Sequence, residues 1–162
     1  MNKAEKINIR ELENTPDYDP FSWMTLKEAG CYPYALNLKT NKFFLVGDLI
    51  GKRCNSIVSD KILIETMKEE LKTIFDYEVI EVDTDELVAR NEKKIYLQRD
   101  DHTGYYHFLR QDSDGFWSHK FPNELPERKD SYGQVIRDPD AMVESSFKGW
   151  CFLLRRKELA LC

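Results

Sequence analysis

No run of apolar residues in the chain is long enough to cross a bilayer or to form the core of a secretion signal, and no two cysteines fall in a C-x-x-C pair. The first absence argues against a membrane partner and leads us to expect a soluble protein made and kept in the cytoplasm, with delivery elsewhere only by a route that needs no signal peptide. The second, with Cys31, Cys54, Cys151 and Cys162 at wide, irregular spacings, suggests neither a zinc ribbon nor a disulfide framework. Reduced thiols are the default. A basic excess is also missing: 24 Lys and Arg against 29 Asp and Glu give a formal net charge of −5. That balance argues against nucleic acid or anionic lipid as a partner. Internal repeats and low-complexity tracts are absent too.

The chain does have 162 residues that are 41% hydrophobic and 12% aromatic, enough to bury one good core. Residues 1–20 are polar and end in TPDYDP, whose prolines suggest an extended lead-in. A single domain is expected over 21–162. In CYPYALNLKT, Pro33 is tolerated only in a first helical turn, which puts Cys31 at or just before a helix N-terminus. In SDKILIETMKEELKTIF, Ser59 or Asp60 can cap a helix with Ile62, Ile64, Met67, Leu71, Ile74 and Phe75 on its apolar side. The second half changes to YEVIEV, KIYLQR, GYYHFLRQ, GFWSHKF and GWCFLLRR, segments of aromatic and β-branched residues separated by turns. Helices first and strands afterwards predict an α+β fold, with N-terminal helices packed on one face of an antiparallel sheet. Residues 122–149 are polar and read as a long surface excursion.

Two of the three histidines flank one turn in YYHFLRQDSDGFWSHK, residues 105–120. A three-residue SDG loop with Gly115 in the left-handed region pairs Leu109 with His119 and His107 with Phe121. Both histidines then share a face with Leu109, Gln111, Trp117 and Phe121, and lie diagonally, roughly 7–8 Å apart at the backbone. A two-residue loop would send them to opposite faces. Histidine acting as a base needs a second group to hold its ring and fix its tautomer. Cys31 supplies a candidate nucleophile, because amides at a helix N-terminus favour a thiolate and can donate to an oxyanion. Against this stands the plainer reading, in which the cysteine is a small core residue and the histidines are hydrogen-bonded filler.

Other patterns carry less. Zinc held by His107, His119 and Cys31 would lack its usual fourth ligand. DSDG is no calcium loop, since the first and twelfth positions would be Arg110 and Phe121. Asp83, Asp85 and Glu86 in EVDTDE read as a solvated helix start, and LLRRK as charge protecting a sheet edge. Tyr105, Tyr106, Phe108 and Phe116 read as core or groove wall, and His102 is assigned no role.

In this order, CYPYALN, YYHFLRQ and GFWSHKF resemble the NlpC-like branch of the papain superfamily of cysteine peptidases and amidases, over about residues 28–122. They also resemble uncharacterised bacterial and phage relatives with a CYxYAL helix start and an H-x-x-RQDSDG-x-WSHK hairpin. The resemblance implies a papain-like fold and a cysteine-dependent hydrolase or acyltransferase that acts on an amide or peptide bond without a cofactor. Cys31 would be the nucleophile and oxyanion donor, His107 the base and His119 its orienter, with Asp112 and Asn123 as alternative orienters. The substrate would be a peptide, peptidoglycan or a protein. Two departures bear on the site. Gly30 stands where relatives often carry a polar residue, and no glutamine lies shortly upstream of Cys31, so Tyr18, Trp23 or Thr25 would assist, with Gln111 and Trp117 as further substrate contacts. The alternative is a catalytically inactive interaction protein on the same scaffold, an effector or phage-encoded module that binds a partner through 122–149.

Overall fold

The computed structural model describes residues 15–89, 91–142 and 147–156. Among the described residues are two α-helices, α1 (Cys31–Ala35) and α2 (Asp60–Phe75), and five strands, β1 (Tyr77–Val82), β2 (Glu92–Asp100), β3 (Tyr106–Gln111), β4 (Trp117–Ser118) and β5 (Phe147–Arg156). The α+β class expected from the sequence is the class observed. Residues 1–14 of the lead-in and Cys162 lie outside the described residues.

α2 starts where the Ser59 hydroxyl accepts the Ile62 N–H at 3.2 Å, and it ends at Asp76 in the left-handed region. Its buried stripe is Leu63, Met67, Leu71 and Phe75, a four-residue spacing that keeps one face on the sheet. Each such side chain contributes about 1.5–3 kcal/mol when withdrawn from water. Ile62, expected on the stripe, is 51% exposed, and Leu63 takes its place. α1 is a single turn after Gly30, with Pro33 at its third position, where the missing N–H costs no hydrogen bond.

The strands lie in the order β1-β5-β2-β3-β4, every pair antiparallel. The β3–β4 register places Arg110 opposite Ser118 and Gln111 opposite Trp117, the pairing that a three-residue loop demands. Gly115 has φ 91°, a conformation that glycine adopts at no steric cost, and its N–H closes the turn on the Asp112 carbonyl at 2.9 Å. β4 ends after two residues. From His119 onward the chain pairs with Glu127 instead, exchanging N–H and carbonyl bonds at 3.0 Å in both directions. The outer edge of β3 beside His107 and Phe108 is thereby left to the start of α1.

Alternation along the strands gives the sheet two apolar faces. Ile95, Leu97, Phe108, Phe152 and Leu154 pack with α2 and Tyr32, while Tyr96, Leu109, Trp117 and Cys151 pack with Ile136 and Met142. The stretch read as a surface excursion is therefore partly structural, covering the second face and supporting His119. Charged segments also differ from expectation. In EVDTDE, Glu81 and Val82 end β1 and the rest is a turn closed by the Lys94 ammonium on the Thr84 and Glu86 carbonyls, with no helix. Of LLRRK, Leu153 to Arg156 belong to β5, which lies between β1 and β2 and not at an edge, and Lys157 lies outside the described residues. There Arg155 pairs with Glu92 at 2.6 Å, and Arg156 donates to the Phe75 carbonyl at the end of α2. Of the lead-in, Thr15 to Asp17 are tied to the sheet: the Thr15 hydroxyl donates to the Glu92 carbonyl, and the Pro16 and Asp17 carbonyls accept from Ser113 and Arg110. No helix among the described residues is long and apolar enough to cross a membrane.

Candidate functional site

Cys31 is the first residue of α1, so its own N–H has no intrahelical acceptor. Two buried charges hold that turn in place. The fully buried Lys120 ammonium donates to the carbonyls of Lys27 at 2.6 Å, Ala29 and Phe121, tying the approach to Cys31 onto the extension of β4. From the other side, Glu70 of α2 accepts the Tyr32 hydroxyl at 2.7 Å, the Gly47 N–H at 3.0 Å and the Leu49 N–H at 2.9 Å. Gly47 has φ 90°, and a Cβ there would fall 1.9 Å from the Lys52 carbonyl oxygen, so this loop admits only glycine.

Burial pushes the Cys31 thiol up to about 11, against the opposing pull of the amides of Phe108, Cys31 and Tyr32 and of the Lys120 ammonium. The expected thiolate at a helix N-terminus is thus reversed. One turn of helix sums too few peptide dipoles to offset desolvation. The Phe108 amide also locates the sulfur, which sits at the open edge of β3 beside the residue following His107.

The histidines are joined directly. His107 Nε2 lies 2.9 Å from His119 Nδ1, and His119 Nε2 lies 2.8 Å from the Lys129 carbonyl oxygen. A carbonyl only accepts, so His119 Nε2 carries a proton. In neutral His119 the Nδ1 is then bare and accepts from His107 Nε2–H, which leaves His107 Nδ1 as the free lone pair. Phe121 stacks on the His107 ring with centroids 4.5 Å apart and planes 8° from parallel. Burial lowers the His107 pKa to about 3, and His119 adds to the shift. Near neutral pH the pair is therefore a thiol and an uncharged imidazole.

Cys31 and His107 line one cavity of about 380 Å³, together with Phe43, Gln98, Tyr106 and Phe121. The other residues named from the sequence are elsewhere. Trp23 packs edge-on against Tyr34 in a separate cluster, Thr25 is in an exposed turn, and the Tyr18 hydroxyl donates to the Pro126 carbonyl. Gln111 closes on the Gly115 carbonyl, and Trp117 is core against Tyr96. Neither alternative orienter meets His107: Asp112 accepts from Arg110 at 2.9 Å, and Asn123 caps the Lys27 carbonyl through its own N–H. The space before the cysteine is filled, since a Cβ at Gly30 would lie 3.1 Å from the Phe43 ring.

No family model matches the chain, and no solved structure matches it. Insoluble matrix shell protein 1 of Ruditapes philippinarum is 30% identical over 123 residues, which is 74% of this chain and 76% of that protein. The chain belongs to the family of that shell matrix protein. In this member of the family, sequence reading missed Lys120, Glu70, Gln98 and the Lys129 carbonyl. Lys120 and Glu70 carried a partial signal, since Lys120 lies two residues after the buried Ser118 and Glu70 lies one turn after the buried Thr66 and Met67. The carbonyl carried none. Among the described residues, no group of three or more His, Cys, Asp or Glu stands close enough to hold a metal ion.

Proposed function

We propose that the protein is a cysteine-dependent hydrolase or acyltransferase of the NlpC-like, papain type, acting on an amide or peptide bond. The observation that supports this most is the proton order along Lys129 carbonyl, His119 and His107, which leaves a bare nitrogen on the imidazole that shares a cavity with the Cys31 sulfur. As the sulfur attacks the carbonyl carbon, the S–H proton passes to His107 Nδ1 and a tetrahedral oxyanion forms, with the Cys31 N–H as donor. His107 returns the proton to the amine nitrogen, the C–N bond breaks and a thioester remains. Water or an acceptor amine then gives its proton to His107, adds to the thioester carbon and releases the thiol. His119 accepts from His107 Nε2–H and holds the His107 ring throughout.

A peptidyl vinyl sulfone tests the reading, because its addition requires both the sulfur and a proton relay. Modification is expected at Cys31, sparing the buried Cys54 and Cys151, and is expected to be strongly slowed in His107→Ala. Modification independent of His107, or none, would overturn it.

A second reading draws on the name of the relative, a matrix protein. On that reading the same scaffold serves as a binding or matrix component, and the histidine pair is structural. It predicts an inert Cys31 in the vinyl sulfone experiment and unchanged partner binding in Cys31→Ser.

A further inference from the structure

Aromatic rings that the protein leaves in water ring the mouth of the cavity beside Cys31. Phe43, Tyr105 and Phe121 are 50%, 71% and 43% exposed, and each lines it. Isolated exposed apolar residues are ordinary, but three converging on one concavity with a nucleophile and a base form a binding surface. At about 380 Å³ the cavity falls near the lower end of the range for small-ligand sites, about 300–1,000 Å³.

Charge decides what fits. Among the described residues no lysine or arginine lines the cavity, and the one carboxylate there, Asp100, has Oδ1 engaged by the His102 N–H at 2.8 Å. Lys120, the cation that acts on the Cys31 thiol, has its ammonium committed to three carbonyls. A ligand carboxylate would lose its water there and gain no cation, a cost that an apolar side chain does not meet. Of the uncharged polar groups lining it, Thr103 accepts from the Tyr105 N–H, and the Tyr32 and Tyr106 hydroxyls donate to Glu70 and the Cys54 carbonyl, whereas Gln98, directly across from His107 in the β2–β3 register, is an amide able to give and take one hydrogen bond each with a peptide group.

The geometry points to a substrate peptide whose residue at this cleft is large, uncharged and apolar, with Gln98 holding its peptide group. This rests on the acyl-transfer reading of the cleft and narrows it, because peptides that present a carboxylate there, including the acidic segments of peptidoglycan stems, are disfavoured. Phe43 is the residue that sets the preference at the mouth.

The test uses two independent measurements on the full chain. N-acetyl-phenylalanine methylamide and N-acetyl-glutamate methylamide are titrated separately into Cys31→Ser protein while the His107 ring signals are followed by NMR. The phenylalanine compound is expected to shift those signals saturably, at a concentration at least tenfold below that needed by the glutamate compound. Phe43→Lys is expected to narrow or reverse that ratio. Equal affinities, a preference for glutamate, or no shift with phenylalanine would overturn the inference. Labelling of the unmodified protein by glycyl vinyl sulfone, which presents no side chain, reports on the acyl-transfer reading alone. Labelling without a phenylalanine preference removes the specificity and keeps the chemistry; a preference without labelling removes the chemistry and keeps the apolar site.

Discussion

His107 Nε2 stands 2.9 Å from His119 Nδ1, and the Lys129 carbonyl on the far side of His119 decides which of the two nitrogens carries the proton. A backbone oxygen from the irregular segment that covers the second face of the sheet thus fixes the chemistry of a ring on β3. The link depends on β4 being short. Were the hairpin to continue as a ladder, residues 119–121 would pair with β3, and Cys31 would have no open edge to occupy.

Replacing either histidine should separate the base from its orienter. His107→Ala is expected to slow vinyl sulfone addition at Cys31 by about 10²–10⁴-fold, the usual range for a general acid–base group. His119→Phe keeps the ring stack but removes the acceptor for His107 Nε2–H, and should slow the reaction by a smaller factor without changing the concentration of probe at half-saturation. Mass spectrometry against time reads both rates. Equal loss of apparent probe affinity in His119→Phe would show a packing role instead.

The pH dependence follows from two opposed shifts. With His107 bare above about 3 and the Cys31 thiol protonated below about 11, the reactive neutral pair persists between those limits. The rate of vinyl sulfone addition should therefore be flat across the neutral range, with no step near the ordinary histidine pKa. Simple alkylation by iodoacetamide needs the thiolate, so it should be slow at pH 7 and climb about tenfold per pH unit as the thiol titrates. A bell centred near neutrality would contradict the shifts.

The hairpin was legible in the sequence because its turn is local chemistry. SDG with a glycine at the left-handed position favours the three-residue loop over a two-residue one, and the register observed puts both imidazoles on one face. The α+β class was legible from periodicity in the same way. What supports His119 was not, because Glu127 and Lys129 act through backbone groups within a polar stretch that has no period. The state of the thiol departs from the sequence expectation for a physical reason: α1 starts at Cys31 but runs only to Ala35, and one turn cannot hold a thiolate against burial. The interior place of Arg155 and Arg156 is not legible in the sequence, because strand order, which puts β5 inside the sheet, is set by contacts distant in sequence.

Acid should weaken the fold partly through His107. Its folded pKa is depressed from 6.5 to about 3, so the stability it contributes is fully present above about 6.5 and is lost as the pH falls toward 3, where the unfolded chain binds a proton that the folded ring refuses. The slope from this one group is at most about 1.4 kcal/mol per pH unit. Urea titrations of His107→Phe over that window should show a shallower acid decline than the parent protein. An unchanged slope would mean that the ring is protonated in the folded state.

Glu70 should tolerate no neutral substitute. Its two oxygens accept three donors from Tyr32, Gly47 and Leu49. Glutamine keeps one acceptor but turns an NH₂ toward an N–H, and alanine leaves all three donors without a partner. Each buried donor so stranded costs about 1–3 kcal/mol. Both variants should lower the urea midpoint, alanine more than glutamine, and both should slow labelling of Cys31 because Tyr32 is the next residue in α1.

Lys120 gives the sharpest separation of position from charge. Its ammonium bonds the Lys27, Ala29 and Phe121 carbonyls, and its charge draws the Cys31 thiol pKa down against burial. Methionine fills nearly the same volume and removes the desolvation of an ion, but it leaves three carbonyls to find other donors. The net loss expected is about 1–3 kcal/mol, read as a lower urea midpoint. With the cation gone, the thiol should titrate still higher, moving the iodoacetamide profile to more alkaline pH. Lys120→Arg should not restore the protein, because a planar guanidinium cannot aim at three carbonyls arranged around a point charge. A Lys120→Met variant with the parent stability and an unshifted alkylation profile would show that neither the tether nor the field reaches Cys31.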